Sequence, residues 1–183
     1  SCHKWLLGPK GTGFLYIKQS MLDAIKPVFV GASSDVSWVL NQDAQKISAW
    51  NSSADRYDYG TQNAALYVGL AKALEFLTDV GMEKIQKRCM YLASHLLKSL
   101  QKELLNNVEI ITPLEDISRT SIVSFKPKNI DYKDLTSLIN KSGFRVRQVA
   151  ESDLNAIRVS THFFNTIEEI DRLVFFLKKT LSP

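Results

Sequence analysis

The stretch IRVSTHFFNTIEEID, residues 157–171, joins a short apolar strand, a turn and the start of a helix. Thr166, followed three residues later by Glu169, forms a capping box, a pattern that begins many helices. We therefore predict a strand, then a closing helix that runs to about Thr180. Arg158 is the residue that this structural interpretation leaves unexplained, because an apolar strand gains nothing from a lone guanidinium.

A second informative stretch, SCHKWLLGPKGTGFLY, covers residues 1–16. Lys4 follows His3 and precedes a Gly-Pro-x-Gly-x-Gly turn and an apolar run. A lysine amine forms an imine with an aldehyde, which would make Lys4 a catalytic or cofactor-binding group. The alternative is a solvated surface lysine beside a tight glycine turn that leads into a strand.

The third stretch, RYDYGTQN, covers residues 56–63 and precedes a predicted helix. Gly60 and Thr61 would offer a hydroxyl, free backbone N–H groups and the positive end of a helix dipole, which together suit an anion such as phosphate. The alternative is that Thr61 only N-caps the helix.

Taken in this order, the three stretches resemble the class V aminotransferases, which include cysteine desulfurases, selenocysteine lyases and isopenicillin-epimerase-like proteins. The resemblance extends over nearly the whole chain. It implies an α/β fold that is the C-terminal part of a fold-type-I transferase dependent on pyridoxal 5'-phosphate (PLP). Residues 1–80 would be the tail of the large cofactor domain, and residues 81–183 a small α+β domain with an antiparallel sheet and flanking helices.

The same resemblance assigns roles to five residues. Lys4 would be the Schiff-base lysine and proton carrier, and His3 would contact the cofactor. Gly60 and Thr61 would reach the phosphate of the neighbouring subunit's cofactor, which implies a homodimer with shared active sites. Arg158 would bind the carboxylate of an amino-acid substrate. No metal site is expected.

Apolar periodicity divides the chain into elements. It predicts helices over 62–78, 82–105, 131–141 and 166–180, and strands over 14–17, 108–111, 122–125, 144–149 and 157–160. The strand over 14–17 and the helix over 62–78 are apolar on most sides and are expected to be buried. The intervening stretch 31–59 is irregular, with aromatic residues at Trp38, Trp50 and Tyr57. The resemblance places this loop at the subunit boundary and the mouth of the active site.

Composition and charge narrow the classes of function and the cellular locations that remain open. The net charge of +4, from 23 basic and 19 acidic residues, is mild, and the basic residues are spread out, so we rank a nucleic-acid-binding module last. No stretch is long and apolar enough to span a membrane. Two cysteines favour a reducing compartment over a disulfide framework, and the cytoplasm is the default location. Cys89 lies on the apolar stripe of a predicted helix and is expected to belong to the core.

The loop before Arg158 bears on the reaction. Residues 146–156 contain neither cysteine nor histidine, so sulfur transfer through a protein persulfide is not expected. Arg145 and Arg147 alternate along the strand before the one that holds Arg158, and either could pair with Glu151 or Asp153. Transamination, epimerisation and elimination remain open.

Members of the family also use groups that precede the lysine: an aspartate at the pyridine nitrogen, a residue stacked on the ring and a phosphate loop. None occurs in this chain, so we expect a C-terminal fragment that does not hold the cofactor productively by itself. The rival hypothesis is a non-catalytic fragment or paralogue that dimerises or binds a partner.

Overall fold

The computed structural model describes residues 1–36, 47 and 49–182. The chain packs as two units, Ser1–Asp79 and Val80–Pro183, called unit 1 and unit 2 here. Unit 1 consists of turns, short 3-10 helices and one α-helix, whereas unit 2 combines a sheet with helices. No helix in the described part of the chain has the length and apolar content needed to cross a membrane.

Four α-helices and four strands make up the regular structure of the described residues. The helices are α1 (Ala64–Val80), α2 (Met82–Leu104), α3 (Tyr132–Lys141) and α4 (Ile167–Leu181), and the strands are β1 (Val108–Ile110), β2 (Ile122–Pro127), β3 (Arg147–Val149) and β4 (Ala156–Ser160). The strands form one antiparallel sheet in the order β1-β2-β4-β3. This confirms the predicted fold class, with its antiparallel sheet and flanking helices.

The register of β2 and β4 sorts their side chains between two faces. Phe125 lies opposite Ile157, and Val123 lies opposite Val159, and all four side chains are buried. Because side chains alternate along a strand, Arg158 belongs to the other face of the sheet. The apolar face thus fixes which way Arg158 points.

The core of unit 2 lies between this apolar face and the helices. The fully buried leucines of α2 recur at four-residue spacing, which places them on one side of the helix: Leu92, Leu96, Leu100 and Leu104. From α4, Leu173, Val174 and Leu177 join the same cluster. Cys89 is also buried, as predicted from the stripe on which it lies.

The ends of α3 and α4 follow the predicted capping residues. The Asp131 carboxylate accepts a hydrogen bond from the Lys133 N–H at the start of α3 (2.7 Å). At α4, the Thr166 hydroxyl accepts from the Glu169 N–H (3.2 Å), and the Glu169 carboxylate accepts from the Thr166 N–H (3.0 Å). The predicted capping box is therefore present in both directions.

The strand predicted over 14–17 is absent. Phe14 and Tyr16 are 75% and 80% exposed, and no strand pairs with this segment in the part of the chain that is described. A buried strand needs neighbours on its edges and faces, and here the described residues supply none.

The prediction that the first helix is buried is also wrong. Only Leu70 and Leu77 of α1 are buried, whereas Val68 and Phe76 are more than half exposed. The helix also continues past the predicted end to Val80. A helix that is apolar on most sides is buried only where enough surface surrounds it, and unit 1 covers one side of α1.

The irregular loop of unit 1 is partly described. Trp38 lies outside the described residues, so its predicted place at the mouth of the active site stays a prediction. The Tyr57 hydroxyl donates a hydrogen bond to the Ile25 carbonyl (2.6 Å). The side chain of Arg56 is buried and donates to the carbonyls of Leu22 and Asn51. Arg56 therefore holds this loop together.

Candidate functional site

Lys4 lies in a loop that is closed by backbone hydrogen bonds. The Cys2 N–H donates to the Thr12 carbonyl and the Gly8 N–H to the Cys2 carbonyl, both at 3.0 Å. Within this loop the Leu7 N–H donates to the Lys4 carbonyl (3.1 Å). Cys2 and Thr12 are buried, whereas Lys4 is exposed. The loop thus anchors its two ends and presents the lysine between them.

Two glycines allow this loop to pack on α1. A Cβ at Gly8 would lie 2.8 Å from Cδ1 of Leu70, and a Cβ at Gly69 would lie 2.8 Å from Cγ of Pro9. Real Cβ atoms essentially never come this close to a neighbour, so a side chain at either position would require Leu70 or Pro9 to shift. The turn predicted from the glycines is therefore present, but it leads to exposed chain.

Lys4 and His3 share this loop, and both side chains are exposed. Among the described residues, neither side chain makes a hydrogen bond or an ion pair. The Lys4 amine is thus accessible to a carbonyl compound.

Thr61 does not cap α1. The helix begins at Ala64, and the Leu66 N–H donates to the carboxamide oxygen of Asn63 (3.3 Å) and to its carbonyl (3.1 Å). Asn63 is therefore the N-cap, and the alternative explanation of Thr61 is wrong. Thr61 is exposed, and a Cβ at Gly60 would meet no atom within 4 Å. The space around this pair is open.

Arg158 lies on β4 between two other strands. Its cross-strand partners are Ser124 on β2 and Arg147 on β3. The Nε atom of Arg158 is buried and has no hydrogen-bond partner in the described part of the structure. A buried donor without an acceptor is costly, so Arg158 is not explained by the fold of unit 2 alone.

The arginine ahead of the β3–β4 loop has a partner. Arg147 Nη2 forms an ion pair with the Glu151 carboxylate, which is one of the pairings that the sequence left open. Arg145 makes no ion pair with a described residue. Arg147 and Glu151 thus bring a charged pair next to Arg158.

Arg119 was missed in the sequence. Its side chain is 5% exposed and donates from Nη2 to the Ser94 hydroxyl (2.9 Å) and to the Asp116 carboxylate. Its Nε and Nη1 atoms have no hydrogen-bond partner among the described residues. An arginine in the polar stretch before β2 shows no periodic pattern, so nothing in the sequence distinguished it.

The predicted site residues thus fall into three groups. Lys4 and His3 share a loop of unit 1, and Gly60 and Thr61 lie in another segment of that unit. Arg158 belongs to unit 2.

Comparison with curated proteins shows similarity over almost the whole chain. A probable cysteine desulfurase of Borreliella burgdorferi is 31% identical over 193 residues, covering 100% of this chain and 44% of the relative. A cysteine desulfurase of Haloferax volcanii is also 31% identical, covering 95% of this chain and 41% of the relative. This chain therefore spans less than half the length of these relatives.

Solved structures share the fold. Cysteine desulfurase CsdA from Escherichia coli is 25% identical with a TM-score of 0.77, covering 96% of this chain and 44% of its own. The apo cysteine desulfurase from Thermococcus onnurineus has a TM-score of 0.85 at 22% identity, covering 99% of this chain and 46% of its own. In a solved C-DES structure with a TM-score of 0.81, glycine is covalently linked to the PLP cofactor; it is 24% identical, covering 97% of this chain and 44% of its own.

The family assignment rests on a match to a family model. The family model described as aminotransferase class-V matches residues 1–173 of the 183. The chain therefore belongs to the class-V aminotransferases, a family whose members depend on PLP.

Proposed function

We propose that this chain is part of a PLP-dependent enzyme that acts on an amino acid, with Lys4 as the residue that binds the cofactor covalently. The observation behind this proposal is the exposed Lys4 amine in an anchored loop, within a chain that matches the family over residues 1–173. An accessible lysine next to two buried anchor residues is suited to a fixed covalent attachment.

The donor set fits PLP and its amino-acid substrate at three places. Lys4 offers a primary amine for the aldehyde. The Thr61 hydroxyl is not used in capping α1, so it is free to donate to a phosphate. Arg158 has a buried Nε donor that lacks an acceptor among the described residues, and a carboxylate would supply negative charge beside it.

Bound PLP would supply an electron sink for the bond changes at the α-carbon or side chain of the substrate. Lys4 would attach the cofactor through Nζ and then, as a free amine, move a proton at the reacting carbon. An amine attacks a carbonyl only in its neutral form, so Lys4 acts after losing a proton to its surroundings. His3, its exposed neighbour, would orient the cofactor from the same loop.

Arg158 would hold the substrate's carboxylate. A guanidinium binds a carboxylate through two parallel N–H···O hydrogen bonds, which fixes the orientation of the amino acid as well as its position. Because β4 lies between two hydrogen-bonded strands, Arg158 projects from rigid backbone. A rigid anchor limits the orientations in which the substrate can react.

A second copy of the chain would complete the phosphate site. In this proposal, Gly60 and Thr61 contact the cofactor bound by the partner subunit, and the enzyme is a homodimer. The open space around Gly60 supports an approach by another chain.

Cys2 and Cys89 are both free thiols, which supports the cytoplasm as the location.

The relatives named cysteine desulfurases favour a lyase-type reaction on a sulfur-containing amino acid. Cys2 and Cys89 are the two cysteines of the sequence, and both are buried. Burial raises the pKa of the Cys89 thiol above its ordinary value, which disfavours the nucleophilic thiolate. We therefore expect any sulfur to leave without forming a persulfide on a cysteine of this chain; transamination and epimerisation remain alternatives.

A second candidate function is a non-catalytic module that dimerises or binds a partner. The observation that favours it is the exposed apolar surface of unit 1, which includes Phe14, Val28 and Phe29. Surfaces of this kind mark protein interaction sites.

Retention of PLP after desalting separates the two candidates. The source protein, with any upstream segment present, is compared with its Lys4→Ala variant and with the matched control Lys10→Ala in the same loop. Each is incubated with PLP, desalted and measured by cofactor absorbance. The enzyme hypothesis predicts that the source protein and Lys10→Ala retain PLP equally and that Lys4→Ala loses it. Equal retention by all three, or none by the source protein, would favour the non-catalytic module.

A further inference from the structure

The outer face of the sheet holds two arginines side by side. Arg147 on β3 and Arg158 on β4 are directly opposed in the antiparallel register. Side chains at opposed positions start about 5 Å apart, and like charges there destabilise a sheet. Such a pair is favourable only when anions neutralise it.

Glu151 neutralises one member of this pair. Its carboxylate binds Nη2 of Arg147, and the two side chains are 58% and 52% exposed, respectively. A hydrogen bond from its own backbone N–H, followed by the hydrogen bond and positive charge of Arg147, lowers the pKa of Glu151 below its ordinary value. Glu151 is therefore an anion at neutral pH.

Arg158 is the member that remains without an anion. It forms no ion pair with a described residue, and its Nε atom has no acceptor. The face thus offers one occupied and one unoccupied guanidinium.

The loop between the two strands sets the position of Glu151. Ser152, Asp153 and Asn155 all adopt left-handed backbone angles, with φ of +54°, +55° and +50°. Asn and Asp tolerate this region, but it is uncommon for Ser. The sharp turn returns the chain to β4 within a few residues and keeps Glu151 beside Arg147.

We propose that Glu151 determines substrate specificity by occupying Arg147. The site then presents one free guanidinium, Arg158, which matches an amino acid with a single carboxylate. A substrate with a second anionic group would meet the Glu151 carboxylate where its own charge needs a partner. This inference rests on the proposed role of Arg158 as the carboxylate anchor.

The test compares an anion that has one carboxylate with an anion that has two. Acetate and succinate are titrated into the ¹⁵N-labelled full chain while the arginine Nε–H resonances are recorded. Arg147→Lys and Arg158→Lys assign the two resonances. In the original chain, both anions are expected to shift Arg158 with affinities within about twofold and to leave Arg147 unchanged.

Glu151→Gln is expected to change the relative affinities of the two anions. Succinate should bind about fivefold more tightly than acetate, because a half-exposed charge-assisted pair with Arg147 becomes available. Asp153→Asn is the matched control, since it removes a carboxylate from the same loop that forms no ion pair with Arg147. In Glu151→Gln/Arg147→Gln the preference for succinate should disappear.

Three results would overturn the inference. A preference for succinate in the original chain, or the same preference in Asp153→Asn, contradicts a specific role of Glu151. An unchanged ratio in Glu151→Gln, with Arg158 still responding, refutes this inference and leaves the carboxylate anchor intact. No response of Arg158 in any variant refutes the anchor itself, and with it the inference.

Discussion

At the scale of single residues, Arg158 differs from its neighbours on β4 because no described residue forms an ion pair with its guanidinium. Ile157 and Val159 are buried in the core, whereas Arg158 faces Arg147 across the strands. A residue whose position costs stability is typical of a functional site, where activity and stability compete.

We predict that Arg158→Met leaves the fold intact. Because one of two opposed positive charges is removed, the free energy of unfolding should fall by no more than about 0.5 kcal/mol. It should rise by no more than about 1 kcal/mol. Urea denaturation monitored by circular dichroism measures this. Ile157→Ala is the control for a structural residue on the same strand, with an expected loss of about 2 to 5 kcal/mol. A loss above about 2 kcal/mol in Arg158→Met would show that Arg158 is structural.

The residues of the site were predictable to different degrees. Arg158 could be selected from the sequence because it interrupts an apolar strand. Thr61 and Asn63 could not be told apart as helix caps, because both types cap helices and they lie two positions apart. Arg119 could not be found from the sequence, because no sequence pattern links it to its hydrogen-bond partners. Ser94 lies far away along the chain, and Asp116 lies in an irregular segment.

At the scale of elements, the start of α1 separates a capping residue from a candidate binding residue. Asn63→Ala should lower the free energy of unfolding by about 1 kcal/mol, because the Leu66 N–H loses its side-chain acceptor. Thr61→Ala, the matched control, should leave stability unchanged and weaken PLP retention. Thermal denaturation and the desalting assay measure the two effects. Equal destabilisation by both changes would return Thr61 to a capping role.

The capping box of α4 makes stability depend on pH. The backbone N–H of Thr166 and the side chain of Asn165 lower the pKa of Glu169 below its ordinary value. The folded chain therefore binds fewer protons at Glu169 than the unfolded chain in the acidic range, and stability is lost as the pH falls through that range.

In Glu169→Gln, the stability of the fold should accordingly decrease less as the pH falls. Urea midpoints measured from neutral pH to below the ordinary pKa of glutamate should fall less steeply in this variant. Glu83→Gln is the control, because Glu83 lies in the first turn of α2 and its carboxylate makes no hydrogen bond with a described residue. An unchanged slope in Glu169→Gln would contradict the role of the capping box.

Elements of unit 2 were predictable because each has its own signal. The four-residue spacing in α2, the caps of α3 and α4, and the alternation in β2 and β4 all follow from local sequence. The segment over 14–17 and the burial of α1 were not predictable, because a short apolar run or an apolar helix is buried only where other surface covers it. That surface is a property of the whole fold.

At the scale of the whole molecule, unit 1 leaves much apolar surface exposed. Val28 and Phe29 are adjacent and 87% and 73% exposed, which is unusual for a stable monomer surface.

The family assignment was predictable from three ordered stretches of sequence, because they extend from Lys4 to the start of α4.

We predict that the chain associates with itself through this surface. Sedimentation velocity should show species larger than the 20.7 kDa monomer, and Val28→Ser/Phe29→Ser should reduce them. Phe175→Ser is the control, because Phe175 is similarly exposed but lies on α4 in unit 2. A monomer at all concentrations would contradict both this prediction and the proposed homodimer.

The measurement that tests the central claim most directly is borohydride trapping. The source protein, with any upstream segment present, is incubated with PLP and reduced, and the modified lysines are then mapped and quantified by mass spectrometry. The proposed function predicts that Lys4 is labelled selectively, well above Lys10 in the same loop. Labelling that is spread evenly over the exposed lysines would contradict the assignment of Lys4 as the cofactor-binding residue.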